Sequence, residues 1–214
     1  MSGRLREDLG ITNVGWGVCG FTSTFYAMWD INPGLRAALI KAPRPFNVLA
    51  EIKQYLVILE AEGRTAELKS IRDFTRSFGP PYDQFKIKEY IERINRAVDK
   101  TAADITKEKL FGIAMPPDCV ADYAKRIWQY NCTVHPGDIG GDGIIGVKSA
   151  DYPNMTAYGG LCHWMYRHNN RIYSWGKSFG SVAATGYPYT VIWTLRFGTA
   201  AVRTGLRLSG HRGA

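Results

Sequence analysis

Residues 160–176 read GLCHWMYRHNNRIYSWG, and the reading of this stretch decides the second half of the chain. Asn169-Asn170 sits between two runs rich in aromatic and β-branched residues, and Asn tolerates the positive φ that a two-residue hairpin turn needs. With those two residues as the loop, His168 pairs with Arg171 and His163 falls opposite Gly176. Ser174 then lies on the face of His163, diagonally offset and within reach of its ring. Working outward, 136–146 (PGDIGGDGIIG) is too Gly-rich for a helix. Short strands are expected at 144–148, 155–158, 162–168, 171–175 and 190–197, the last because TVIWTLRF alternates with period two.

The first half has the other periodicity. From Cys19 the run CGFTSTFYAMW reads as a buried helix stopped by Asn32-Pro33-Gly34. Three amphipathic helices follow near 46–61, 65–78 and 83–99, on the apolar sets Val48, Leu49, Ile52, Leu56 and Leu59; Leu68, Ile71, Phe74 and Phe78; and Phe85, Ile87, Tyr90, Ile91, Ile94 and Val98. A further helix is expected from Pro116-Pro117-Asp118, with Val120, Tyr123, Ile127 and Trp128 inward. Helices first and antiparallel strands after them make an α+β layout. A chain of 214 residues buries about 70% of its unfolded surface, enough for one domain over 1–214 with a helical insertion at about 46–99.

Composition removes several function classes. Hydrophobic residues make up 45% and charged residues 21%, as in a packed globular chain. The excess of 27 Lys+Arg over 19 Asp+Glu favours anionic surroundings. The cations are spread along the chain, however, and without a zinc-finger or RNA-recognition signature nucleic acid is not an expected partner. The basic tail with Arg203, Arg207 and Arg212 reads as a solvated terminus. No window approaches the roughly 20 apolar residues of a membrane span, and MSGRLREDLG has no apolar signal core, so synthesis in the cytoplasm is expected. Cys19, Cys119, Cys132 and Cys162 are too irregularly spaced for a disulfide framework.

Two pieces carry chemistry. Cys19 opens a helix behind the Gly-containing loop 13–18, where partial positive charge and a nearby imidazolium would lower its thiol from about 8.5 toward 3.5–7.5. Gly15 and Gly17 let a carbonyl approach the backbone, where the Cys19 N–H can hold an oxyanion. The competing reading is a small cysteine packed in an apolar helix. His163 supplies a base held by a strand, against the competing reading of a structural histidine. His135, before Pro136 in what reads as a loop, is the rival base. Zinc on Cys132, His135, Cys162 and His163 is disfavoured because adjacent strand residues point to opposite faces, and no metal or cofactor is expected. Asp138-x3-Asp142-Gly143 lacks the alternating ligands of a calcium loop and reads as an acidic turn.

Together, residues 13–29 and 160–178 resemble the papain-like cysteine peptidase superfamily, in which a cysteine at a helix N-terminus meets a histidine on a distant antiparallel sheet. The resemblance implies a helical half packed on a C-terminal sheet, Cys19 as nucleophile, His163 as base, and the amide of Asn13, six residues before the nucleophile, in the oxyanion hole. The superfamily's Asn-Ser-Trp-Gly segment appears as Tyr173-Ser174-Trp175-Gly176, so Tyr173 stands where the orienting Asn would be. That leaves a dyad, or a dyad assisted by Ser174 or a backbone carbonyl. Amide hydrolysis is the implied reaction, with deamidation and transglutamination as alternatives. Size, basicity and the missing signal core also resemble bacterial secreted effectors, delivered into a target cell, that cut peptidoglycan peptides or protein and are blocked by a cognate immunity protein. From a different class, a non-catalytic binding module would recognise a partner through 46–99.

Overall fold

The computed structural model describes residues 17–32, 46–97, 100 and 102–200. Among the described residues six helices come first, α1 (Cys19–Ile31), α2 (Phe46–Ala61), α3 (Thr65–Arg76), α4 (Ile87–Arg96), α5 (Ala102–Glu108) and α6 (Pro117–Trp128). The strands β1 (Tyr130–Pro136), β2 (Gly143–Ser149), β3 (Leu161–His168), β4 (Arg171–Ser174), β5 (Lys177–Phe179) and β6 (Tyr189–Ala200) then form one sheet in the order β1-β6-β2-β3-β4-β5. Every pairing in it is antiparallel, so the fold is α+β with the helices in the first half.

Helix α2 runs over the expected residues, and Val48, Leu49, Ile52, Leu56 and Leu59 are all fully buried. Helix α4 starts later than expected, at Ile87, because residues 79–86 are spent on turns after the Gly79-Pro80-Pro81 break; Val98 lies outside the described residues. Three expectations are corrected. Residues 155–158 form no strand: a short 3-10 turn covers Ala157–Gly159, with Tyr158 at φ 51°. His135 is in strand β1, opposite Thr194, rather than in a loop. Strand β4 ends at Ser174, and Ser174 pairs with Lys177 across a second two-residue turn, Trp175-Gly176.

Helix α1 is buried along Gly20–Trp29 and sits between the other helices and the sheet. Gly20 permits the approach: a Cβ there would stand 2.8 Å from Met115 Cβ and 3.4 Å from the Trp164 ring. One apolar cluster runs through the helices into Ile144, Trp164, Tyr166 and Leu195 of the sheet. A smaller one, Ile145, Val147, Met165 and Ile172, covers the other sheet face. Strand β6 lies between β1 and β2 and is covered on both sides, so Thr194 and Leu195 are both fully buried although they alternate.

Glu51 is out of keeping with this interior. Among the described residues its Oε2 finds no partner, and burial pushes the carboxyl up to about 7. A carboxyl raised in the folded state makes stability fall as pH climbs from about 4.5 to 7, where the unfolded chain has already released its proton. Glu51→Gln, neutral throughout, is expected to raise Tm at pH 8 by at least about 2–4 °C, the shift that about 1 kcal/mol produces in a domain of this size. Melts at pH 5 should show that advantage gone.

Candidate active site

The Asn169-Asn170 turn has both residues at positive φ, 47° and 58°, and His168 pairs with Arg171 as its geometry requires. Asp142 locks the turn by accepting the Asn169 N–H at 2.9 Å and meeting His168 Nδ1 at 2.8 Å. Beyond this ladder, His163 Nε2 and Ser174 Oγ lie 2.7 Å apart, buried from solvent. Trp175 closes the far side: its φ is 49°, a left-handed conformation costly for a bulky residue, and its ring lies parallel to the imidazole with centroids 4.6 Å apart. The strained turn therefore fixes His163 by a hydrogen bond at its edge and a stacked indole on its face.

Cys19 approaches from the helix layer. Val18 caps α1 without a side-chain bond, and its carbonyl accepts the Phe21 and Thr22 N–H groups. The N–H groups of Cys19 and Gly20, orphaned at the helix start, point at the Cys19 sulfur together with the Trp164 N–H of β3. Gly17, at φ 66°, bends the chain into the helix, and its carbonyl accepts the Ile113 N–H at 3.0 Å. Residues 109–116 thereby become the opposite wall. Cys19, His163, Cys162, Gly17, Gly112 and Thr75 line a cleft of about 110 Å³ that Phe78 and Tyr82 complete. Tyr82 donates to the Lys109 carbonyl at 3.1 Å and lies over Gly112, where any Cβ would collide with its ring.

The structure thus brings Cys19, His163 and Ser174 to one place, while Asn13 lies outside the described residues. Cys162 and Tyr82 were missed as cleft residues. Cys162 turns toward the cleft beside His163 because the β2–β3 register shifts between Val147 and Lys148; such a bulge is invisible to a period-two reading. His135 is excluded as the base: it sits on edge strand β1, three strand spacings of about 4.8 Å from β3, and its Nε2 faces Thr133 Oγ1 at 3.1 Å. Among the described residues no group of three His, Cys, Asp or Glu side chains could hold a metal ion. In the acidic turn Arg167 grips Asp138 at 2.8 and 3.1 Å and Arg196 binds the Ile139 and Gly140 carbonyls, so guanidinium groups stand where a cation would. A larger groove of about 440 Å³ along α3 is lined by Lys69, Arg72, Arg76 and Lys86, with no Cys or His among its lining residues.

Electrostatically the pair differs from the sequence expectation. Cys19 as a residue is half-buried beside the cleft, yet the atoms crowded around its sulfur desolvate the thiolate and push the thiol up to about 11, against the three N–H groups that favour the anion. Burial pushes the His163 imidazole down to about 3. At neutral pH the resting pair is a thiol beside an uncharged imidazole.

Compared with known proteins, the chain matches no family model, no curated sequence and no solved structure.

The neutral pair has a thermodynamic signature. Between pH 6.5 and about 3 the unfolded chain takes up a proton that the folded ring refuses, so this site loses stability as pH falls through that window. The Cys19 thiol mirrors it: stability is lost as pH rises from about 9 toward 11. Replacing the imidazole in His163→Gln should shrink the drop in urea midpoint between pH 7 and pH 4 relative to wild type; an unchanged drop would mean the imidazole is solvated.

Proposed function

We propose that the protein is a cysteine-dependent amide hydrolase of papain-like design. The observation that supports this most is the convergence on one cleft of a thiol at a helix N-terminus and an imidazole held by Ser174 and Trp175. With Nε2 committed to Ser174, Nδ1 is the nitrogen that serves the thiol. Because both groups rest uncharged, His163 takes the thiol proton as the sulfur attacks the carbonyl carbon. The electron pair displaced onto oxygen is held by the Cys19 N–H and, in the superfamily pattern, by the Asn13 amide. The imidazolium returns its proton to the departing amine, leaving an acyl thioester that water cleaves by the same steps in reverse. Ser174 acts through the ring and is a positioning residue.

The substrate amide belongs to a cell-wall peptide or a target-cell protein, and the resemblance to secreted effectors sets the protein beside a cognate immunity protein. The raised thiol favours a second reading, a binding module in which Cys19 is packed and inert.

Incubating the protein and Cys19→Ala with purified sacculi and with a pool of proteome-derived peptides is expected to release new amino termini only with the cysteine present, both proteins remaining folded. Equal products from both would remove Cys19 from the chemistry. Ser174→Ala should lower kcat by about 10- to 100-fold with KM held, short of the roughly 10²–10⁴-fold that a positioned acid–base group contributes. Iodoacetamide should alkylate Cys19 slowly at pH 7 and faster as pH approaches 11; a thiol that stays inert at every pH until unfolding would establish the packed reading.

A further inference from the structure

Four large apolar side chains are exposed among the described residues, and the two aromatic ones, Tyr152 at 54% and Tyr187 at 50%, both neighbour Tyr189. Tyr187 lies 5.3 Å from Tyr189 at 26° and 5.3 Å from Trp175 at 45°, and Tyr189 lies 6.0 Å from His163 at 23°. With the 4.6 Å stack of Trp175 on His163, the rings run without a break from the buried imidazole to solvent. The two tyrosines flank Pro188, whose fixed φ, with the Tyr189 N–H donating to the Tyr187 carbonyl at 2.8 Å, makes this a stiff display. We propose, resting on the amide-hydrolase reading, that Tyr187 and Tyr189 form a ledge that receives an aromatic side chain from the residue immediately after the scissile amide.

Three observations argue for that occupant. His163 delivers its proton to the leaving amine, so what lies outward of the imidazole meets the leaving side of the substrate. The ledge is built from the packed rings of Tyr187, Tyr189 and Trp175, so it suits an uncharged ligand. The exposed Tyr187 ring, nearly parallel to the half-buried Tyr189 ring, offers the π-face that aromatic pairs use at 4.5–7 Å. Deamidation releases ammonia, which has nothing to lay on such a surface, so the ledge also favours cleavage of a chain amide over deamidation.

The test digests a proteome-derived peptide pool and identifies the new amino termini by mass spectrometry. Phe, Tyr and Trp are expected to be enriched there by about 2- to 10-fold, the range that 0.5–1.5 kcal/mol of aromatic pairing supplies. Tyr187→Ala should return the aromatic-to-aliphatic ratio to background, and Tyr187→Phe should restore it. Cysteine-dependent cleavage without enrichment, or enrichment that survives Tyr187→Ala, overturns the ledge while leaving the hydrolase reading intact. No cleavage at all overturns the hydrolase reading instead, and the ledge is then decided by binding. N-acetyl-phenylalaninamide should shift the Trp175 indole resonance in wild type but not in Tyr187→Ala. A shift with N,N′-diacetylchitobiose alone, or with neither probe, overturns the aromatic occupant.

Discussion

The packing of helix α1 across the sheet is the contact on which the cleft depends. At its start Gly20 lets the helix lie against Met115 and Trp164, whose indole N–H is tied to the Met115 carbonyl at 2.9 Å. Almost two turns later the Tyr26 hydroxyl accepts the Gly176 N–H at 2.9 Å. One helix therefore carries the thiol and also pins the turn that holds Ser174 and Trp175 on His163. A side chain at position 20 would lift the helix, and both halves of the site would separate together.

Against this rigid frame, two opposed effects set the state of the thiol. Three backbone N–H groups and the helix start favour the anion, while removal of water from the sulfur favours the neutral form. Desolvation wins at Cys19, and it wins without an opponent at His163, where burial is the whole cause. The two groups are held in alignment and carry no resident charge at neutral pH.

Much of the frame was legible because it rests on periodicity. The apolar stripe of α2 and the Asn169-Asn170 turn follow from side-chain spacing and backbone preference alone, and with the turn came the nearness of Ser174 to His163. What stayed hidden needed three dimensions. Strand β1 was concealed by Pro136 and by the polar pattern YNCTVHP, which pairs only because β6 lies beside it. Trp175 read as strand because aromatics favour strands, whereas its left-handed backbone is imposed by the turn it closes. The lowered thiol expected at Cys19 failed for a similar reason: a helix start is visible in sequence, but the crowding around a sulfur is not.

The strand order also has a consequence for how the molecule is assembled. Strand β6, the last described in the chain, sits between β1 and β2, so among the described strands β1 has none to pair with, and β2 has only β3, until residues 189–200 have been made. Pairing of such separated segments closes long loops and is slow. During synthesis on the ribosome, Cys19 and α1 emerge well before the hairpin bearing His163, and that hairpin emerges before the sheet that supports it is complete. The strand that joins the two parts of the sheet is therefore the late piece, and until it enters, the hairpin bearing His163 leans on β2 alone.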